Sequence, residues 1–126
     1  MGNKIPAGLK NLFLIHFIVA LVLGLGYLLV PQTTLGFVGI QTQEVDVYRL
    51  LGAAMLGLAY GSWLAYRETA YERVRIVLGI EVVWTVLGTL VMLYALLFAG
   101  FPAGAWLNAI ILAAFAVAFS IYYFRK

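Results

Sequence analysis

Two ionisable side chains sit inside otherwise apolar stretches: His16 within Leu12–Val30 and Glu81 within Ile76–Ala99. An imidazole and a carboxyl can exchange a proton near neutral pH. A titratable group inside such a stretch is a functional candidate, because burying it there is costly. Their positions along the stretches agree. His16 is six residues beyond Lys10, and Glu81 is six beyond Arg75. At a rise of 1.5 Å per residue each lies about 9 Å past a charge that marks the membrane edge. Tyr60 and Trp63, counted back from Arg67, fall at nearly the same depth, as does Ser120, counted back from Arg125. The sequence therefore predicts a polar layer of His16, Glu81, Tyr60 and Ser120, with Arg67 in reach of Glu81. Such a layer has two uses. It can clamp helices together by hydrogen bonds, or it can bind a proton or a ligand.

The remaining polar groups suggest less. Asn108 falls in the outer third of the fourth stretch and is expected to hydrogen-bond across a helix bundle. Arg49 is placed to pair with Asp46 or Glu44, or to meet an anion or a lipid headgroup. Several chemistries lack their residues. With no cysteine there is no disulfide, thiolate metal site or thiol redox couple, which excludes enzymes of the vitamin K epoxide reductase type. Lys4, Lys10 and Lys126 all lie outside the apolar stretches, so no retinal Schiff base can form. One histidine cannot supply a bis-histidine haem site, and Met55 and Met92 lie too far toward the outer side to serve as the second ligand. No metal-ligand cluster and no nucleophile triad appear. Gly24-Leu25-Gly26 is a packing feature, not a nucleotide fingerprint.

The elements that position His16 and Glu81 follow from composition. Hydrophobic residues make up 65% of the 126 and charged residues 10%, against about 25% charged in soluble proteins. Four stretches are long enough to cross a hydrocarbon core of about 30 Å as helices. They are residues 12–30, 48–66, 76–99 and 105–124. The third is long enough to tilt. Pro31 ends the first. Gln32–Asp46 contains Leu35, Phe37, Val38 and Ile40 and can form a short interfacial helix. Asp46 suits the N-cap of the second stretch. Thr69-Ala70-Tyr71-Glu72 fits a capping box, so the third helix is expected to start near Ala70. Gly100-Phe101-Pro102 is a tight stop and restart. The first apolar run exceeds a signal-peptide core, and no small-x-small cleavage site follows Val30, so it is expected to remain in the protein. The predicted fold is all-α: an integral membrane antiparallel four-helix bundle in a single domain.

Charge placement predicts its orientation. Lys4, Lys10, Arg67, Arg73, Arg75, Arg125 and Lys126 flank the stretches on one side, and Arg49 alone flanks the other. By the positive-inside rule both termini are cytoplasmic, in a multi-pass protein of a prokaryotic plasma or inner membrane. The basic residues are topology signals, not a nucleic-acid surface. Trp63, Tyr66, Tyr71, Tyr122 and Tyr123 would form the aromatic belt on the cytoplasmic side, and Tyr48 and Trp106 that on the outer side. Small residues suggest the packing faces. Ala53, Gly57, Gly61 and Ala65 recur every fourth position, and Gly57–Gly61 is a GxxxG pair. It serves packing within the chain or a homodimer seam. Ala20 and Gly24 share a face with His16. Ala109, Ala113 and Ser120 form a stripe on the fourth helix, and Glu81, Thr85 and Thr89 one on the third.

The run Tyr48-Arg-Leu-Leu-Gly-Ala-Ala-Met-Leu-Gly-Leu resembles the second helix of many small four-span prokaryotic membrane proteins, some described as DoxX-like. Pro31 after the first span and the Gly100-Phe-Pro-Ala-Gly-Ala-Trp-Leu-Asn108 turn resemble them too. The resemblance covers the whole chain in layout and implies a four-helix bundle. DoxX proteins are linked to quinone-coupled oxidation, but no residue set here carries that over. Small fluoride channels have balanced flanking charge and a glycine-rich motif with an arginine near the N-terminus, and this chain has neither. Small multidrug transporters place their glutamate in the first helix, where this chain has His16. The leading expectation is a non-enzymatic structural or accessory subunit that partners the bilayer and other membrane subunits or a second copy. The alternatives are a small proton-coupled transporter or channel using His16 and Glu81, and a quinone-linked redox accessory. No cofactor is required, though the bundle would admit a quinone or lipid.

Overall fold

The computed structural model describes residues 4–125, so Lys126 of the charge tally lies outside the described residues. Among these residues the chain is helical, and its one β-bridge is isolated, between Lys4 and Ala70. The helices are α1 (Ala7–Leu29), α2 (Pro31–Phe37), α3 (Val45–Arg67), α4 (Tyr71–Phe98) and α5 (Trp106–Phe124), the last entered through a 3-10 turn at Ala103–Ala105.

Three segments are long and apolar enough to cross a membrane: Ala7–Leu29, Tyr71–Phe98 and Ala103–Phe124. In each, most of the apolar surface faces outward. Ile15, Ile18 and Val22 on α1, Ile80, Val83 and Leu87 on α4, and Ile110, Val117 and Ile121 on α5 are all exposed. Helices apolar all round whose surface is left uncovered need an apolar solvent, and the bilayer is that solvent. α3 matches α1 in length but carries Asp46, Arg49, Ser62 and Arg67, and it falls outside the apolar set.

Helix boundaries depart from the expectations at their caps. α1 begins five residues before the apolar run, directly after Pro6. Pro31 both closes α1 and opens α2, where its missing N–H costs nothing. α2 packs Leu35 inward and leaves Phe37 exposed. Neither expected cap forms. Glu44, not Asp46, holds the N-cap position of α3, and Asp46 lies in the first turn, paired with Arg49 at 2.6 Å. α4 starts at Tyr71 after Ala70 with no side-chain cap, so Thr69 does not close a capping box. Extended backbone at Ala70, bridged to Lys4, sets that start instead. Gly100 (φ +73°) ends α4, and the Phe101 amide turns back to the Ala95 carbonyl.

Packing pairs the helices unevenly. α1 lies along α3, and α4 along α5; the two pairs meet each other less extensively. The α1–α3 seam is a backbone approach, with Gly24 and Gly52 facing each other. This corrects the expected packing row. Ala53 and Gly57 point outward, and the space beside Gly57 is open. The buried row of α3 is Gly52, Met55, Ala59, Ser62 and Ala65. Ala20 and Gly24 are buried as expected. At one end of the molecule Leu9, Phe13, Val74, Leu78 and Phe119 form the main core cluster, and Tyr71 Oη donates to the Tyr122 carbonyl. The same end carries the N-terminal segment, the α3–α4 connection and the end of α5.

Candidate functional site

The site forms where three helices converge. α1 supplies His16, α3 supplies Ser62 and α4 supplies Glu81, with exposures of 4%, 0% and 1%. His16 Nδ1 lies 2.8 Å from Ser62 Oγ, and Ser62 Oγ donates to Glu81 Oε1 at 3.0 Å. His16 Nε2 lies 3.3 Å from Glu81 Oε2, at ion-pair distance but without hydrogen-bond alignment. The three side chains thus close a ring across the seam between the helix pairs.

The ring has a proton requirement. The single hydroxyl proton of Ser62 goes to Glu81, so Ser62 must accept from His16 Nδ1–H. Neutral His16 then presents a bare Nε2 toward Glu81 Oε2, and two acceptors would face each other. The arrangement is relieved by one further proton between imidazole and carboxyl, carried by either group. The surroundings keep water out. Phe115 and Phe119 stand edge-on to the imidazole, at centroid distances of 4.9 and 5.4 Å. Thr85 donates to the Glu81 carbonyl at 2.6 Å and Thr89 to the Thr85 carbonyl at 2.7 Å, so both hydroxyls serve their own helix.

Of the predicted layer, the structure brings together His16 and Glu81 and leaves the others out. Tyr60 is 63% exposed on the outer face of α3. Arg67 is exposed, with its guanidinium 5.9 Å from the centre of the Trp63 ring, so the adjacent turn holds it away from Glu81. Ser120 is half-buried on α5 and makes no hydrogen bond to the ring. The residue not anticipated is Ser62. Its signal was present: it is the lone serine of α3, on the four-then-three spaced row with Met55 and Ala59. Arg49 is engaged by Asp46 at the far end. Asn108 is half-buried and lines the same cavity as Tyr27.

Beyond His16, away from the ring, the four long helices line a partly open cavity of about 230 Å³. Its walls are almost wholly apolar, with His16 and Thr85 toward one end and Tyr27 and Asn108 toward the other. Among the described residues no group of His, Asp or Glu is arranged to hold a metal ion. Comparison of the chain with family models, with curated proteins and with solved structures gives no match.

Proposed function

We propose that the chain is a four-span integral membrane protein of a prokaryotic plasma or inner membrane, with both termini cytoplasmic. In this reading it acts as a non-enzymatic structural or accessory component of that membrane. The observation that carries it is the His16–Ser62–Glu81 ring. It ties α1 and α3 to α4 at a seam that is otherwise thinly packed, and it is closed to water. A polar clamp of this kind fixes helix register where lipid supplies no hydrophobic drive between helices. Support for α3 as the fourth span comes from its 23 residues, about 34 Å at the helical rise, and from its seam with α1. Support for the orientation comes from Lys4, Lys10, Arg67, Arg73, Arg75 and Arg125, which flank one end, with Arg49 alone at the other. Three of these cations sit over aromatic rings of the belt: Lys10 on Tyr66, Arg67 on Trp63 and Arg75 on Tyr123. Short connections leave little surface outside the bilayer, so partners would meet the protein within it.

The experiment is native purification in mild detergent, with the unfolding of wild type and Glu81→Gln compared in the same micelles. Co-purifying membrane subunits and a weakened variant are expected. A lone species whose stability is indifferent to Glu81→Gln would remove both the accessory role and the clamp. The shared proton of the ring favours a second reading, a proton-coupled transporter. Proton flux in liposomes, lost in Glu81→Gln, would establish it over the first.

A further inference from the structure

We infer that the cavity between the helix pairs is a binding site for a small uncharged amphiphile: a hydrocarbon body carrying one hydroxyl or carbonyl group. Volume sets the body. A dry apolar cavity of about 150 Å³ holds a benzene ring, so 230 Å³ holds a ring with a substituent or a short folded chain. The walls set its polarity. Leu23, Leu51, Met55, Val91, Met92 and Leu112 offer dispersion contacts and no charge, so an ion is excluded.

The polar group is placed by the wall residue that offers both donors and acceptors. Both nitrogens of His16 face the ring, and Thr85 Oγ1 gives its only proton to its own helix, so neither offers a free donor to a ligand; the free donors among the lining residues include the Trp84 indole N–H and the Asn108 amide. At the opposite end Asn108 is half-buried beside Tyr27. A primary amide has two donors and two acceptor sites, so even with Tyr27 nearby it keeps capacity for a ligand. A hydroxyl or carbonyl directed there leaves the body lying toward His16. Access is from the lipid. Leu58 and Trp84 on the cavity wall are only half-buried, and Val91 is exposed, so the wall between α3 and α4 reaches the outer surface. An apolar molecule dissolved in the bilayer can enter there without crossing water.

The test uses fluorescence, because Trp84 lines the cavity. Trp63→Phe and Trp106→Phe leave Trp84 as the sole tryptophan in the full chain, reconstituted in nanodiscs. The probes are 4-bromophenol and bromobenzene, which match in size and differ by one hydroxyl. The expected result is saturable quenching, with 4-bromophenol binding about fivefold more tightly, as one hydrogen bond predicts. Asn108→Leu should bring the two probes together while keeping saturation. Gly88→Val, which adds volume against Leu112 and Trp84, should weaken both. Quenching that rises linearly with either probe, or a preference for 4-bromophenol that survives Asn108→Leu, overturns the assignment. The wild-type comparison of saturable with linear quenching decides the case even if a variant does not fold. Glu81 is unchanged throughout, so failure here is distinguishable from failure of the clamp.

Discussion

The α1–α3 seam makes a sharp prediction, because two glycines of one helix, Gly52 and Gly57, should behave oppositely. A Cβ on Gly52 would lie 2.7 Å from the Gly24 carbonyl oxygen, 2.7 Å from the Leu28 nitrogen and 3.1 Å from Tyr27 Cβ. The first two atoms are backbone, so no rotamer change relieves them. To reach ordinary contact the helices must part by about 0.7 Å. Overpacking of this kind costs about 1–3 kcal/mol. Alanine's helix propensity returns up to about 1 kcal/mol. Gly52→Ala should therefore destabilise by roughly 1–2 kcal/mol. Beside Gly57 there is nothing for a methyl group to strike. Gly57→Ala should keep the propensity gain and stabilise by up to about 1 kcal/mol. The propensity gain is common to both, so the two variants would differ by the overpacking cost, about 1–3 kcal/mol, or roughly fivefold to a hundredfold in the unfolding equilibrium. Reversible unfolding in mixed micelles titrated with SDS, followed by tryptophan fluorescence, reads this directly. If Gly57→Ala proves the costly change and Gly52→Ala is neutral, the packing face described here is wrong and the GxxxG row is the seam.

Other outcomes follow from the same geometry. Ser62→Ala removes the hub of the ring and leaves imidazole and carboxyl unsatisfied away from water. It should cost about 1–3 kcal/mol in the same titration, and a His16→Ala/Glu81→Gln cycle should show coupling of about 0.5 kcal/mol or more. Tyr60→Phe should fall within about 0.5 kcal/mol of wild type, since Tyr60 is largely exposed. Arg67→Ala should lose no more than about 1 kcal/mol, the worth of an exposed cation–π contact. A comparable loss in either to that of Ser62→Ala would put that residue back in the layer. The chain has no cysteine, so single cysteines report topology cleanly. Glu44→Cys should react with an impermeant maleimide in intact cells and Arg73→Cys only after permeabilisation; the reverse pattern would invert the proposed orientation.

How far the site was legible in the sequence turns on one helix. His16 and Glu81 could be paired from depth alone, because two rigid rises measured from flanking charges place them at the same level. Ser62 could not be found from a row of small residues spaced by four. The helix has 3.6 residues per turn, so each four-residue step drifts about 40° around the axis. Ala53, Gly57, Gly61 and Ala65 therefore wind off the seam, and the outcome follows the drift: Ala65 is buried, Gly61 half-buried, and Gly57 and Ala53 exposed. Steps of three and four alternate about one face, which is why Gly52, Met55, Ala59 and Ser62 stay inward. Arg67 was misjudged for another reason. A long side chain near a helix end takes the nearest favourable ring, and Trp63 is one turn away. Three of the long helices were well marked by apolar length, and α3 less so; the start of α4 beside Ala70 was also legible from Thr69–Glu72, although the capping box that suggested it does not form.

The uneven pairing of the helices also implies an order of assembly. In the proposed four-span arrangement, a chain inserted from its N-terminus would present α1 and α3 first, and these could close on Gly24 and Gly52 before α4 is available. If α3 is the proposed fourth span, this less apolar helix would be escorted by α1 instead of entering lipid alone. In that arrangement His16 and Ser62 would hold each other for an interval without Glu81 to complete the ring. The arrival of α4 delivers Glu81 to that waiting pair, so the costliest carboxyl of the protein enters the bilayer only when its partners are already in place.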